Sequence, residues 1–462
     1  MAVRRLVWFR NDLRTHDHAP LLRAAQADAA LAVYVFDARH DQTTASGAEV
    51  AGARRRQFVA ECAESLRDDL RDLGSDLVLR RGSPAEQVAV VANEWGASEV
   101  HVHGDVTPYE RDDERDAAER LERHGITLVR HEGGTLIDPE RLGFEGRLPR
   151  VFSKFRRIAE KRPCFGDALP APRWLPPAGA RPADDSAWTN YAHARDETPV
   201  FRGGERAGEK HLATWMWDLD ALKTYKETRN GMLRPADSSR LSPWLALGCL
   251  SPRRVHAEIK RYELERVANQ STYWLVFELL WRDYFRLLAA ETGADLFQRD
   301  GVAQRSLQWS QDGDTYDAWK EGRTGIPLVD AAMRELALTG FMSNRARQNV
   351  ASFFSKTLQL DWRWGAEWFE HSLIDYDPAN NWGNWQYVAG VGTDPRDRLF
   401  NVVGQSERYD PDAEFIARWV PELSGLPAQE RHAPWRSRSP PAGYPSPIID
   451  LDQFWREQRD GR

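Results

Sequence analysis

The first 133 residues alternate short β-rich runs with charged, periodic segments, and this alternation constrains the possible folds most. The β-rich runs are 5–9, 31–36, 77–79, 100–103 and 127–129. The segments of helical periodicity between them include 54–73, 85–93 and 110–123. Such alternation is typical of βαβ units, in which parallel strands are covered by helices on both faces. We therefore predict an α/β domain over residues 1–133 with a Rossmann-like, five-stranded parallel sheet.

The remainder of the chain divides into three further regions. Residues 134–205 are rich in proline and predict a long interdomain linker with one short helix near 152–161. Residues 206–424 show helical periodicity broken by Gly and Pro, which predicts an all-α domain. Residues 425–462 are Pro-rich and predict a loose C-terminal tail.

Composition excludes several classes of protein. No run of about 18 apolar residues is present, so we expect no membrane partner, and the apolar part of the N-terminus is too short for a secretory signal. The three cysteines, Cys62, Cys164 and Cys249, are too widely spaced to indicate a disulfide framework or a zinc site, and they fit a reducing, cytoplasmic location. A net charge of −7 argues against coating nucleic acid by bulk attraction, although a local basic groove is compatible with 63 Lys and Arg. The first β-rich run is not followed by Gly-x-Gly-x-x-Gly, so the nucleotide fingerprint of a dehydrogenase is missing.

An acidic residue lies among aromatic residues in the predicted helical domain. Four residues at helical spacing share one face: Trp274, Glu278, Trp281 and Phe285. Burying a carboxylate between aromatic rings is costly unless it is paired or functional. A salt bridge from Glu278 to Arg282 or Arg286 is the simpler alternative.

Two other segments place amides and charges beside apolar sequence. Asn344, Arg347 and Gln348 form a polar stripe on a helix, which is either a solvated face or the wall of a pocket. Asp375 and Asp377 precede a proline, which predicts a turn there. Carboxylates and amides among aromatic residues suit recognition of a heteroaromatic ring. A metal site is the alternative, but no nearby His completes a ligand set.

Hydroxyl groups and an arginine precede a helix predicted to start near Pro243. The segment 237–243 reads Asp-Ser-Ser-Arg-Leu-Ser-Pro. Main-chain N–H groups and the helix dipole make such a position an anion site. Serine-rich N-caps are also ordinary, so this segment alone is weak evidence.

Tryptophan is abundant, with 19 among 462 residues, most of them after residue 210. Indoles are usually anchors of a core or an interface. They are also among the most easily oxidised side chains, so buried indoles near a redox cofactor can relay electrons. The residues themselves leave both interpretations open.

Taken in order, these segments resemble the photolyase/cryptochrome family, and most closely its DASH cryptochrome branch. Residues 7–14, Val-Trp-Phe-Arg-Asn-Asp-Leu-Arg, are similar to the family's opening strand. Four further segments are similar to the DASH versions: 225–230, 242–252, 341–352 and 387–394. The likeness extends from about residue 3 to 423.

The resemblance implies FAD in a U-shaped conformation within the helical domain. Its phosphates and ribityl chain would be held by Tyr225, Ser238, Ser239, Arg240, Leu241 and Ser242. The ring and the rest of the cofactor would be surrounded by Arg282, Asn344, Arg347, Asp375, Asp377 and Asn381. Arg347 and Asp375 would be paired ions near the ring, and Asn381 would face flavin N5.

The resemblance also implies a reaction, the light-dependent repair of cyclobutane pyrimidine dimers by electron transfer from reduced FAD. The implied catalytic residues are Glu278, Trp281, Asn344 and Asn381. Glu278 would hydrogen-bond the pyrimidine edge and Trp281 would stack on the dimer. Gln348 and Tyr387 replace the usual Met and Trp of photolyases, a change typical of the DASH branch and of its preference for single-stranded or locally unpaired DNA. A blue-light photoreceptor is the alternative function, and a monomer is expected.

Two further roles follow from the resemblance alone. Trp385, Trp362 and Trp309 match the family's electron-transfer tryptophans, in order from the flavin to the surface. Glu160 matches the pterin-binding Glu of the branch, which implies a 5,10-methenyltetrahydrofolate antenna. The alternative for the segment 151–162 is an ordinary basic surface helix.

Overall fold

The N-terminal part of the chain forms a parallel β-sheet. The structure, a computed structural model, describes residues 2–143, 147–192, 196–197, 199–394, 396, 398–438 and 441–460. The strands are β1 (Arg4–Phe9), β2 (Ala29–Asp37), β3 (Leu77–Gly82), β4 (Glu99–His103) and β5 (Thr127–His131). They pair in parallel in the order β3-β2-β1-β4-β5. Each predicted β-rich run is one of these strands, so the predicted α/β sheet is confirmed.

Helices cover both faces of the sheet because the central strand is apolar on both sides. The four helices of this region are α1 (Ala19–Ala24), α2 (Ala53–Asp72), α3 (Pro84–Trp95) and α4 (Pro108–Glu122). On β1, Leu6 and Trp8 point to a core shared with α3 and α4. Val7 and Phe9 point to the opposite core, which α2 shares with the helical region. The second face of the sheet is therefore buried against the rest of the molecule.

The linker contains little regular structure, as predicted. Its described part holds α5 (Pro139–Leu142), α6 (Phe152–Ala159) and a short 3-10 turn at Ser186–Asn190. The short helix expected near 152–161 is α6. Phe152 and Phe155 are buried on it and pack against Tyr284 of the helical region.

Residues after 204 are helical, which confirms the predicted all-α region. The helices are α7 (Glu205–Ala213), α8 (Tyr225–Thr228), α9 (Ser242–Ala246), α10 (Pro252–Glu265), α11 (Gln270–Thr292), α12 (Gly313–Lys320), α13 (Pro327–Thr339), α14 (Asn344–Ser352), α15 (Trp362–Ser372), α16 (Pro378–Ala389), α17 (Val402–Tyr409) and α18 (Glu414–Trp419). Two π-helical turns extend α7 and α14. Helix α11 starts at a capping box in which Asn269 and Thr272 satisfy each other's main-chain N–H groups. Within the described ranges, no helix is both long and apolar enough to cross a membrane.

The C-terminal segment is packed, so the prediction of a loose tail is wrong for its described residues. It contains α19 (Ala428–Arg431) and α20 (Leu451–Asp460). The hydroxyl of Tyr444 donates to Asp330 Oδ2 at 2.6 Å, and the N–H of Ile448 donates to the Thr324 carbonyl at 2.9 Å. Leu451 is only 2% exposed. Prolines end the regular helices here, but apolar and aromatic residues between them still cover the helical domain.

The two domains meet through buried polar contacts around the loop that follows β1. The N–H of Leu13 donates to the Leu247 carbonyl at 3.0 Å, and Arg14 donates to the Gly248 carbonyl at 2.9 Å. The buried carboxylate of Glu205 accepts hydrogen bonds from Thr15 and is paired with His16. The carboxyl edge of the sheet therefore faces the helical domain.

Candidate functional site

A cavity of about 400 Å³ lies within the helical domain. Its walls come from α8, the residues before and within α9, and from α11, α14, α15 and α16. Seventeen residues singled out from the sequence line it: Tyr225, Ser238, Ser239, Arg240, Leu241, Ser242, Glu278, Trp281, Arg282, Asn344, Arg347, Gln348, Asp375, Asp377, Asn381, Trp385 and Tyr387. The structure thus brings all four chemically unusual segments together.

An ion pair with a free acceptor forms one part of the wall. Asp375 Oδ2 accepts from the Ser242 hydroxyl at 2.5 Å and from Arg347 Nη2 at 2.7 Å. Arg347 is held in place because its Nε also donates to the Met342 carbonyl at 2.8 Å. Asp375 Oδ1 is buried and has no hydrogen-bond partner among the residues that the structure describes. A buried carboxylate oxygen left in this way at a cavity wall is suited to a ligand's N–H or O–H group.

The N-terminus of α16 forms the adjoining wall. Asp377 Oδ1 accepts from the N–H of Asn380 at 2.8 Å and caps the helix, with Pro378 in its first turn. This confirms the predicted turn before the proline. The side-chain amide of Asn381, one residue further, donates to the Ala366 carbonyl at 3.0 Å, which fixes its orientation. Within the described ranges, the groups that could hold a metal ion do not include Asp375 or Asp377, so the metal alternative gains no support.

Glu278 pairs with a residue that the sequence did not indicate. Arg229, at the end of α8, donates to Glu278 Oε1 at 2.8 Å. The expected partners are wrong: Arg282 donates to the Gly134 carbonyl, and Arg286 pairs with Asp105 and with Asp377. Burial raises the pKa of Glu278, while the neighbouring Arg229 opposes the rise. The carboxyl group therefore lies in a desolvated, partly compensated position on the cavity wall.

Trp281 presents less free surface than the sequence suggested. Its ring stacks on Phe152 of α6 with centroids 3.6 Å apart and planes at 11°. Its further ring neighbours include Tyr387 at 5.5 Å, Phe285 at 5.6 Å, Tyr284 at 5.8 Å and Phe277 at 6.5 Å. One face of the indole is thus covered by the linker helix, so a planar ligand has only the remaining surface.

Four arginines form a basic cluster near the cavity. They are Arg229, Arg345, Arg398 and Arg408. Burial lowers the pKa of Arg345, and repulsion from the other three arginines acts in the same direction. The chain is acidic overall, at −7, so this cluster is a local feature. It supplies the positive charge that an anionic partner requires.

The structure and sequence are similar to those of known light-dependent flavoproteins. The family model described as DNA photolyase matches residues 5–173, and the model described as the FAD binding domain of DNA photolyase matches residues 274–460. A curated relative, cryptochrome DASH of Synechocystis sp., is 47% identical over 98% of this chain and 96% of its own length. The chain belongs to the photolyase/cryptochrome family.

Further comparisons place the chain within the DASH branch of this family. Cryptochrome DASH of Gloeobacter violaceus is 45% identical over 97% of this chain and 93% of its own length. The crystal structure of a Synechocystis sp. cryptochrome matches with a TM-score of 0.94 and 43% identity, covering 100% of this chain and 99% of that one. A class III photolyase from Agrobacterium tumefaciens matches with a TM-score of 0.88 and 29% identity, covering 100% and 97%.

Membership of the photolyase/cryptochrome family means that the helical domain binds FAD, and the cavity fits such a group. The free Asp375 Oδ1 and the hydroxyls of Ser238 and Ser239 supply polar contacts to an otherwise aromatic and aliphatic cavity. The helix α9 has only five residues, and the Ser242 hydroxyl donates to Asp375 and does not cap it. The anion site expected at this helix terminus stays a prediction, and the serines that precede and start the helix line the cavity.

The three tryptophans predicted to transfer electrons differ in their burial and in their relation to the cavity. Trp385 lines the cavity and packs against Phe369 at 5.1 Å. Trp362 is fully buried, and its ring meets Trp382 at 5.6 Å. Trp309 is half-buried at the edge of the same core. Their use as an electron-transfer route stays a prediction, and Trp382 is an aromatic neighbour of Trp362.

Glu160 lies outside the main cavity. It ends α6, is exposed, and accepts a hydrogen bond from the Tyr273 hydroxyl. Arg156, one turn earlier, lies 3.5 Å from it. Its part in binding an antenna stays a prediction.

Two residues of the site were missed by sequence reasoning. Arg229 lies within the quoted segment 225–230, so its charge was a usable signal, but its distance to Glu278 was not visible. Phe152 lies on the predicted linker helix and carried no signal for a contact with Trp281.

Proposed function

We propose that this protein repairs cyclobutane pyrimidine dimers in DNA in a light-dependent reaction, preferentially in single strands. The observation that carries the proposal is the position of Glu278, a desolvated carboxyl group beside Trp281 on the wall of the flavin cavity. A partly buried acid on the wall of a cleft, with its pKa raised by desolvation, is a typical functional group.

The basic cluster suits the DNA backbone. Arg229 and Arg398 line the cavity, and Arg345 and Arg408 lie beside them. Arg229 and Arg398 are already paired with Glu278 and Asp394, so Arg345 and Arg408 are the arginines best placed to neutralise phosphates, and binding is expected to weaken with salt. The dimer must leave the base stack to reach the cavity, which costs least in single-stranded or distorted DNA.

Inside the cavity, Glu278 and Trp281 would orient the dimer. The ionised carboxylate accepts hydrogen bonds from pyrimidine N–H groups, and the protonated form, which burial favours, donates to a pyrimidine carbonyl. Trp281 offers its uncovered side to the dimer, since Phe152 occupies the other. The hydroxyl of Tyr387 accepts from Arg398 at 3.3 Å, which gives the wall a polar edge.

FAD held there in reduced form would supply light-driven one-electron chemistry to the dimer, with no net change in its own oxidation state. The residues around it provide charge and orientation. Arg347 and Asp375 form a paired charge at the wall, so neither ion is left uncompensated. Asn381 is fixed by its bond to Ala366 and keeps its amide at a defined position. Asn344 contributes a second amide from α14.

The preference for single strands can be tested with one oligonucleotide in two forms. We expect the illuminated, pre-reduced protein to repair a dimer at least about tenfold faster in the single strand than in a matched duplex, because unstacking costs a few kcal/mol. The dimer is quantified by chromatography after defined light doses. Equal rates would remove the single-strand preference and leave the repair proposal in place.

Phe152 provides a test of how Trp281 is positioned. Replacing Phe152 by Ala removes the ring stacked at 3.6 Å and leaves the indole free to turn. We expect the apparent affinity for dimer-containing DNA to fall about tenfold, since an aromatic pair and its buried area contribute about 1–1.5 kcal/mol. Unchanged affinity in a binding titration, with intact FAD content, would show that the stacking does not matter for substrate.

A blue-light photoreceptor is the second candidate function. Trp385 on the cavity wall, buried Trp362 and half-buried Trp309 favour it, because a route through them would reduce the flavin in light without any DNA. We also propose a 5,10-methenyltetrahydrofolate antenna near Glu160, on the basis of its exposed carboxyl group beside Tyr273. We also propose that the protein is a monomer and is located in the cytoplasm.

A further inference from the structure

A row of buried charges connects the α/β domain to the wall of the flavin cavity. Asp105 follows β4, and its Oδ1 accepts from Arg286 Nη2 at 2.7 Å. The other arm of Arg286, Nη1, donates to Asp377 Oδ2 at 3.0 Å. The three residues are 6%, 6% and 7% exposed. Together they form one continuous bridge from one domain to the other.

Both ends of the bridge are held by further hydrogen bonds. Asp105 accepts from the side chain of Asn11 at 3.1 Å and from the N–H of Val106 at 2.8 Å. Burial acts to raise the pKa of Asp105, but Arg286 and Arg10 outweigh it and hold that pKa at about 2. At the other end, Asp377 caps α16, the helix that carries Asn381 and Trp385. The bridge is therefore ionised and rigid.

We propose that Asp105 and Arg286 are positioning residues that set the electrostatic environment of the flavin from outside its own wall. The proposal rests on the proposed FAD-binding role of Asp377. The two carboxylates and one guanidinium carry one net negative charge, and their burial limits screening by solvent and salt. Two-electron reduction places negative charge on a flavin, so a nearby change of charge alters how easily it is reduced.

A purely mechanical bridge would behave differently from a charge bridge. D105N removes one negative charge and leaves Arg286 uncompensated on that side. R286M removes the positive charge and leaves two carboxylates. If the bridge acts only mechanically, both variants should shift the equilibrium constant for flavin reduction in the same direction. If it acts through its charge, the two variants should shift that constant in opposite directions. The double variant D105N/R286M has the same net charge as the natural protein, and its flavin should return toward the natural behaviour.

The measurement is a reductive titration of the FAD-loaded protein in the dark, without DNA, against a reference dye. We expect D105N to raise the equilibrium constant for reduction by about fivefold or more, and R286M to lower it by a similar factor. D105N preserves the shape of the side chain and is expected to fold. If R286M does not fold, comparison of D105N with the control variant E205Q separates the effect of charge from that of loosened domain contacts. No shift, or a fall, in D105N would overturn the proposal.

A matched control separates the bridge from general domain contacts. Glu205 is also buried and also links the domains, through Thr15 and His16, but it does not line the cavity. E205Q should lower thermal stability without shifting the reduction equilibrium. A shift in E205Q as large as that in D105N would contradict the assignment. The titration requires bound FAD but no DNA. It therefore tests this proposal even if the protein does not repair dimers.

Discussion

Replacing Glu278 by Gln lowers light-dependent dimer repair by about tenfold to a hundredfold, because a hydrogen bond to a charged group contributes roughly 1.5–3 kcal/mol. The amide has nearly the same shape as the carboxyl group, so the shape of the cavity wall is preserved. It loses the ability to bind the pyrimidine edge as an anion or as an acid. It also frees Arg229, whose present partner is Glu278 at 2.8 Å.

The Glu278→Gln result requires a control variant in which another buried Glu of the helical domain is replaced by Gln. Glu258 of α10 is buried, is paired with Arg254 and Arg261, and does not line the cavity. We expect E258Q to repair dimers at the natural rate and E278Q to keep its bound FAD, as judged by absorbance. Equal repair by E278Q and the natural protein would remove Glu278 from the substrate site.

Trp385→Phe is expected to abolish light-driven reduction of the oxidised flavin while leaving repair by chemically reduced protein largely intact. Phenylalanine keeps the packing against Phe369 but is far harder to oxidise than an indole. Trp385 lines the cavity and Trp362 does not, so the variant removes the proposed first step of the route. Repair begins from reduced FAD and does not need that route. The bleaching of oxidised flavin absorbance under blue light, with an external reductant, gives the rate.

A buried tryptophan away from the cavity provides the control for this change. Trp244 of α9 is 2% exposed, donates its indole N–H to the Arg202 carbonyl at 3.0 Å and does not line the cavity. Trp244→Phe should therefore photoreduce at the natural rate. Undiminished photoreduction in Trp385→Phe would refute the assignment of Trp385 as the residue nearest the flavin.

The fold was largely predictable from local pattern. The strand β1, for example, is a short apolar run with Leu6 and Trp8 on one face and Val7 and Phe9 on the other, and such a run has few alternatives inside an α/β domain. The C-terminal segment was not predictable in this way. Its prolines indicated the end of helices, but Tyr444 is fixed by Asp330, which lies 114 residues earlier.

The site was predictable in its members and less so in their contacts. Glu278 was recognised because an acid among aromatic residues is unusual, but its partner Arg229 lies 49 residues away and only the fold brings them together. Helical spacing favoured Arg282, which the linker carbonyl of Gly134 occupies. The covering of Trp281 by Phe152 also depends on how the linker packs on α11. Periodicity describes one helix or strand at a time and carries no information about contacts between elements that are distant in the sequence.

The most direct test of the account is the fate of a single dimer in a single-stranded oligonucleotide. The pre-reduced, FAD-loaded protein is mixed with it anaerobically, one half is illuminated and the other is kept dark, and the intact pyrimidines are quantified by chromatography. We expect restored pyrimidines in the light and none in the dark. No restoration in the light, in single strands or in duplex, with FAD bound and reduced, would contradict it.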